Sequence, residues 1–336
     1  MVLARYLGRK AMWNVAVLII ALLLIFALPR LIPGNPVDAI IASMTRGGGV
    51  SGEQAQRTYE TYMREFGLLD PIWQQFLTFV GNLFRGDLGT SFAQYPASVN
   101  SLMAQALPWS LALQVPAILI GWIVGNALGA FAAFKGGWFD RGAFLSSLFM
   151  TSIPYYCLAI LLLFIVGVQL GLLPVGGAYS FGLSPEFSLA FFGDAITYFW
   201  LPFWSLVIVF IGGQAVGMRS MAIYELGSDY VNYGRGLGLS DNAIVRYIFR
   251  NAMLPQITGL ALSIGGMIGG ALVTELVFSY PGVGTLLFSA IGQNDYPVIQ
   301  SILLIITIAV LAANFAVDVL NGFIDPRIRA AQSGDR

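Results

Sequence analysis

Apolar residues run along this chain in long blocks, and polar positions are confined to the gaps between them. A helix crossing a bilayer needs about 20 consecutive, mostly apolar residues. Six stretches meet that length: roughly 11–32, 107–134, 142–170, 199–217, 255–279 and 298–323. The first ends on Arg30, and the last two carry one acid each, Glu275 and Asp318. The pattern therefore predicts an all-α polytopic membrane protein with six transmembrane helices. It predicts one membrane domain over 1–336, with a polar region at 33–106 and a polar loop at 218–255.

The region 33–106 has the pattern of short helices rather than of a linker. "SGEQAQRTYETYMREFGLLDP" opens on Ser51, places Glu53 and Gln54 in its first turn, and stops at Gly67 and Pro71. Those are helix start and stop signals. "DPIWQQFLTFVGNLFRG" follows as an amphipathic helix for the membrane face or for other helices. "GDLGTSF" is a turn-rich connector.

Within the apolar blocks, Pro116, Pro154 and Pro202 predict bends, since proline removes a donor and frees a carbonyl. In "SIGGMIGGALVTE", Gly265 and Gly269, and Gly266 and Gly270, are small residues four apart, which permits close helix approach. They serve either tight packing or a passage or dimer seam that slides. A charge deep in a bilayer costs a few kcal/mol. Glu275 and Asp318 lie within about two turns of an interface, so each is either hydrogen-bonded structure or a contact for solute or gating.

The stretch "DYVNYGRGLGLSDNAIVRYIFRNAMLP" at 229–255 interrupts this apolar chain. Ser228 or Asp229 caps a short helix on which Tyr230, Tyr233, Gly234 and Leu237 share a face. Gly238 ends it. Ser240 and Asp241 start a second helix that runs to Pro255, where the fifth span begins. An amphipathic helix this short must pack on the membrane domain, lie on lipid or dock into another protein. Gly234, Gly236 and Gly238 follow no strand and are not a dinucleotide fingerprint.

Composition narrows the classes. The chain is 57% hydrophobic and 10% charged over 336 residues. Soluble domains carry roughly 25% charged residues. Net charge is zero, but of the 17 basic residues 12 fall on one side of the expected spans if the N-terminus is cytoplasmic, and 5 lie in or beside the loop 33–106. That matches the positive-inside rule, with both termini cytoplasmic and 33–106 extracytoplasmic. The N-terminal apolar run exceeds a signal-peptide core and meets no A-x-A-like site, so a retained span is expected. Cys157 is the single cysteine and there is no histidine, which excludes an internal disulfide, Ser-His or Cys-His catalysis and His-ligated metal. A P-loop requires G-x-x-x-x-G-K-[ST]. Neither lysine, Lys10 or Lys135, follows a glycine.

The chain resembles importer permeases driven by ATP-binding-cassette (ABC) subunits, and more narrowly the oligopeptide, dipeptide and nickel permease family. The resemblance is carried in order by "RLIPGNP", "GNLFRGDLGTSF", "PWSLALQVPAILIGWIVG" and "LGLLPVGG". It continues through "SDYVNYGRGLGLSDNAIVRYIFRNAMLPQIT", "GGALVTELVFSYPGVGTLLFSAI", "DYPVIQ" and "IDPRIR". The 229–255 stretch resembles the family's EAA loop. Asn232, Tyr233 and Gly234 take its first three places, Leu237 stands where the family has Lys, and Gly238 is the key glycine. "GGQAVGMRSMAIYELGSDYV" is similar to members associated with oligosaccharide uptake.

The resemblance implies a permease subunit in a bacterial or archaeal cytoplasmic (inner) membrane. It implies a second permease subunit, two ABC ATPase subunits and an extracytoplasmic solute-binding protein as partners, with membrane lipid around the chain and no nucleic acid. Asp229, Tyr230, Tyr233, Gly234, Gly238 and Leu239 are the expected ATPase-coupling residues. Gly265, Gly266, Gly269, Gly270 and Glu275 are expected on the translocation path or seam. No catalytic residue, cofactor or metal is expected, and ATP hydrolysis falls to the partner subunits. Di- or oligopeptide cargo is expected, with oligosaccharide or nickel-chelate cargo as the alternatives. An ion-coupled secondary transporter tends to show inverted repeats and broken spans with a midplane ion site, and the sequence has no repeated halves and no mid-span acid pair. An intramembrane enzyme would need a catalytic cluster that the composition does not supply.

Overall fold

The computed structural model describes residues 2–31, 34, 36–38, 41 and 52–324. Side chains within helices are described except at 2–4, 52, 53, 55, 254, 261, 265–270 and 320–324. The described residues form helices and turns without a strand, apart from one isolated bridge between Thr90 and Ser98. The chain divides into two compact units. The first comprises 1–109, 282–315 and 321–336, and the second comprises 110–281 and 316–320.

In the first unit, α1 (Val2–Ala27) passes into a 3-10 turn at Leu28–Leu31. Arg30 closes this end. Its Nη1 donates to the carbonyl of Phe26 and its Nη2 to Oε1 of Gln75, each at 2.7 Å, and the guanidinium lies 3.6 Å over the Phe26 ring. Gln75 belongs to α3 (Ile72–Phe84), which Pro71 precedes at the N-cap. Phe76 and Phe79 of α3 meet Phe26, whereas Ile72, Trp73, Leu77 and Phe84 face outward and stay exposed. The amphipathic helix thus has one apolar face on α1 and a second uncovered. Before it, α2 (Gly52–Glu65) ends at Gly67, whose φ of +64° suits glycine. The expected Ser51 start lies outside the described residues.

The connector at 86–98 is fixed by a buried acid. Asp295 accepts from the Ser91 hydroxyl and from the backbone amides of Phe92 and Ala93. Phe92 then stacks on Phe66 at 4.2 Å. Asp295 lies between α11 (Val283–Gly292) and α12 (Tyr296–Ile324).

The second unit is built around α7 (Leu189–Leu226), which the side chain of Ser188 caps by accepting from Phe191 N. Against it run α4 (Val99–Lys135, in this unit from Ser110), α5 (Gly137–Ser152) and α6 (Tyr155–Leu162). The contact of α4 with α7 depends on bare glycines. A Cβ on Gly121 would come 2.9 Å from Phe210, and one on Gly125 would come 2.6 Å from Gln214. A Cβ on Gly129 would run into the backbone of Ala215. Facing the other side, Gly212 of α7 has the Ser147 carbonyl of α5 at 2.6 Å from its Cβ position.

Four described helices are long and apolar enough to cross a membrane: Arg5–Leu31, Val99–Lys135, Leu189–Leu226 and Tyr296–Val319. A fifth candidate is a pair, Gly137–Ser152 with Tyr155–Gln169, bent by 90°. Within the expected span 142–170, the bend anticipated at Pro154 is a full break between two helices. The physical cause is Pro154. It has no N–H to continue the ladder, and it holds Ile153 extended at φ −85°, ψ 123°. A π-helical segment, Leu163–Gln169, completes the second arm. Pro116 and Pro202, by contrast, lie inside unbroken helices. The stretch 255–279 is shared by the end of α9 (Asp241–Gly270) and by α10 (Leu272–Val277), with Ala271 between them.

Candidate coupling site and polar seam

The polar interruption folds as helix, turn and helix. Ser228 stands at the N-cap of α8 (Asp229–Gly236) in extended conformation, and its hydroxyl donates to the Glu225 carbonyl at 2.6 Å. Leu237 ends α8, and Gly238 reverses the chain with φ +76°. Ser240 caps α9 by accepting from Ala243 N. The helix α9 does not stop at Pro255. It continues through it, so the loop's second helix and the start of the apolar stretch are one element.

The faces of α8 divide differently from the expected grouping of Tyr230, Tyr233, Gly234 and Leu237. Val231 and Gly234 are the buried positions. Val231 joins Ala133 of α4, Ala222 of α7, and Ile244 and Ile248 of α9 in one apolar cluster. Gly234 turns toward its own loop: a Cβ there would meet Leu239 Cδ1 at 3.2 Å. Its close approach is therefore intramolecular. Tyr233 is 70% exposed and Leu237 64%. Asp229, Tyr230 and Leu239 are also exposed. The Tyr230 hydroxyl donates to Glu225 Oε2 at 2.6 Å. Partial burial first, and that hydrogen bond next, push its phenol above the ordinary value, so it remains a donor at neutral pH. The loop is thus seated by Val231 and Gly234 and leaves Tyr233 and Leu237 uncovered.

Of the expected path residues, Gly265, Gly266, Gly269 and Gly270 form the last turns of α9, and their surroundings lie outside the described residues. Glu275 of α10 is 1% exposed. Its Oε1 accepts from the Ser110 hydroxyl at 2.6 Å and from Gln114 Nε2 at 3.3 Å, both on α4. Asp318 is half-buried in α12.

Sequence reasoning did not find the rest of this contact. Ser110 and Gln114 stand four apart on α4, as do Trp122 and Asn126, and each pair shares a face. Further along, Trp122 Nε1 donates to the Gln256 carbonyl of α9 at 3.0 Å. Asn126 Nδ2 donates to the Trp122 carbonyl at 2.7 Å and reaches Gln214 Oε1 of α7 at 3.5 Å. The legible signal was the spacing of amides inside an apolar block, since such groups face the protein interior. Also missed was Asp140 of α5, paired with Arg219 of α7 at 2.6 Å. Each is one of few charges in an apolar helix, which itself calls for a partner.

Four helices long and apolar enough to cross a membrane, with a bent pair as a fifth candidate, define a polytopic membrane protein. The sequence pattern of the family "binding-protein-dependent transport system inner membrane component" matches residues 125–330, and this chain belongs to that family. It is accordingly a multi-pass inner membrane permease component. It is 34% identical over 322 residues to the di/tripeptide transport system permease protein DppB of Pseudomonas aeruginosa, covering 91% of this chain and 93% of that one. It is 30% identical over 328 residues to the oligopeptide transport system permease protein AppB of Bacillus subtilis, covering 97% and 99%. It is 32% identical over 326 residues to the dipeptide transport system permease protein DppB of Escherichia coli, covering 91% and 93%.

Proposed function

We propose that this chain is a permease subunit of an ATP-driven ABC importer for di- and oligopeptides delivered by a solute-binding protein. The observation that carries the reading is its similarity, along 91–97% of its length, to permeases named for dipeptide, di/tripeptide and oligopeptide transport. The whole chain, 1–336, works as one permease domain of six spans: the four long helices, the bent pair, and α9 with α10 through 255–279. Both termini are cytoplasmic and 33–106 faces outside. It pairs with a second permease subunit around a path to which Gly265, Gly266, Gly269 and Gly270 contribute, with Glu275 bracing α10 on α4. Two ABC ATPase subunits bind the loop 218–255 and supply the hydrolysis. Tyr233 and Leu237 are the anchors for them, with Asp229, Tyr230 and Leu239 at the rim and Gly238 setting the turn. The exposure of these side chains on a seated helix supports that assignment, since uncovered aromatic and aliphatic groups make good helix-in-groove anchors.

The test is uptake into liposomes by the assembled importer with its binding protein and internal ATP. Accumulation of a labelled dipeptide that requires ATP is the expected result. Accumulation of an oligosaccharide instead, or uptake driven by an ion gradient without ATP, overturns the assignment.

A further inference from the structure

We propose that the turn between α4 and α5 is a binding site for an anionic phospholipid, held by its headgroup phosphate. Helix α4 ends on Lys135, and Gly136 and Gly137, at φ +66° and +63°, reverse the chain into α5. Left-handed backbone at two successive positions calls for glycine. The turn carries Lys135, Trp138, Phe139 and Arg141, all within the second unit. All four are exposed, Trp138 by 86%.

Each cation rests on an aromatic ring instead of pairing with an acid. Lys135 Nζ lies 4.6 Å from the centre of the Phe139 ring and 5.7 Å from that of Phe131. Arg141 Cζ lies 5.6 Å from the centre of the Trp138 ring. Among the described residues, no hydrogen bond or ion pair engages either cation. Arg30 and Arg219 differ, since each is committed to protein acceptors. Asp140, the acid beside Arg141, is taken up by the fork of Arg219, and Arg141 acts on it only by attraction at longer range. The turn thus keeps two positive charges and their N–H donors for an outside acceptor.

Charge and position together select the occupant. Helix α4 is long and apolar enough to cross a membrane, and α5 is the first arm of the bent pair. A turn that joins two such elements lies at a membrane face, at the level of the headgroups. Lysine meets a phosphate as a point charge and arginine as a fork. Basic side chains at that level draw anionic lipid. Tryptophan favours the same level, and Phe131, 54% exposed, with Phe139 offers an apolar footing for acyl chains. A soluble anion would use the two cations and leave the rings uncovered. The site requires that α4 cross a membrane, whatever the cargo and whichever the leaflet.

The test is native mass spectrometry of the full-length chain in detergent, titrated with dioleoylphosphatidylglycerol and separately with zwitterionic dioleoylphosphatidylcholine. The anionic lipid is expected to bind about thirtyfold more tightly, at about fivefold for each of two basic groups. Lys135→Gln and Arg141→Gln should each lose about fivefold of that preference, and the double variant nearly all of it. Trp138→Ala should weaken both lipids by about tenfold and keep the preference. Arg85→Gln, at an exposed arginine ending α3, is the control and should change neither. Both cations are exposed, so the double variant is expected to fold. Equal affinity for the two lipids, a preference that survives in the folded double variant, or the same loss in Arg85→Gln overturns the site. Displacement of the lipid by an equal concentration of glycerol 3-phosphate overturns it in favour of a soluble anion. Loss of the ATPase subunits from the double variant with its lipid preference unchanged overturns it in favour of a protein contact.

Discussion

Arg219 grips Asp140 through two parallel hydrogen bonds, Nε to Oδ1 and Nη2 to Oδ2, each 2.6 Å. The pair joins α7 to the first turn of α5, and the guanidinium also lies 4.5 Å from the centre of the Phe144 ring. Fork-to-fork geometry of this kind is specific to arginine.

Asp140→Asn should therefore destabilise the chain by about 1.5–3 kcal/mol, the range for hydrogen bonds to charged groups. Arg219→Lys should lose much of the same, since an ammonium cannot reproduce the fork. Thermal unfolding in detergent measures both. Wild-type midpoints for the two variants would show that the pair contributes nothing.

The glycines of α4 should be intolerant of any side chain. Gly129→Ala puts a Cβ into the backbone of Ala215, which cannot step aside. Overpacking of this kind costs about 1–3 kcal/mol. Gly142→Ala is the control, because a Cβ there meets nothing within 4 Å and a helix gains from alanine. Yield and unfolding midpoint of the purified variants should fall for the first and hold for the second.

In the coupling loop, stability and partner binding should separate. Tyr233→Ala removes a side chain that is 70% exposed, so the chain's own stability should stay within about 0.5 kcal/mol. Retention of the ATPase subunits should drop by roughly thirtyfold in affinity, the loss of an interface anchor worth about 2 kcal/mol. Val231→Ala should do the opposite: its burial against Ala222 and Ile244 predicts a loss of about 1–2 kcal/mol in the chain itself. Co-purification paired with thermal unfolding tells the two apart. Full ATPase retention in Tyr233→Ala would move the contact elsewhere.

A double-mutant cycle on Ser110 and Glu275 should give a coupling of about 0.5–3 kcal/mol, as expected for contacting residues. The variants are Ser110→Ala, Glu275→Gln and their combination, read by unfolding in detergent. Additive losses would place the two groups in independent roles.

The helix, turn and helix of 228–255 was legible because caps are local: Ser240 and Gly238 act through their immediate neighbours. Which face of α8 turns inward was not legible. At 3.6 residues per turn, Tyr230 and Val231 are only about 100° apart. The choice between them is made by Ala133, Ala222 and Ile248, which come from three other helices. The same limit explains the glycines. Those at 265–270 are conspicuous because they are doubled, whereas Gly121, Gly125 and Gly129 are scattered among larger residues. Only the approach of α7 shows that the second set is filled. Pro154 was legible as a bend. Its 90° angle was not, because the direction of the second arm depends on packing against α7 and α10, where Ala159 meets Leu201 and Phe278.

The unbroken run of α9 through Pro255 has a mechanical consequence. Thirty residues from Asp241 to Gly270 make a single lever arm about 45 Å long. A tilt of about 5° imposed where α8 meets it displaces the opposite end by about 4 Å, roughly three-quarters of a helical turn. Pro255 interrupts the hydrogen-bond ladder near the middle of that arm, leaving the Asn251 carbonyl without its usual amide. Any bending of the arm is easiest at that point, where one rung of the ladder is missing.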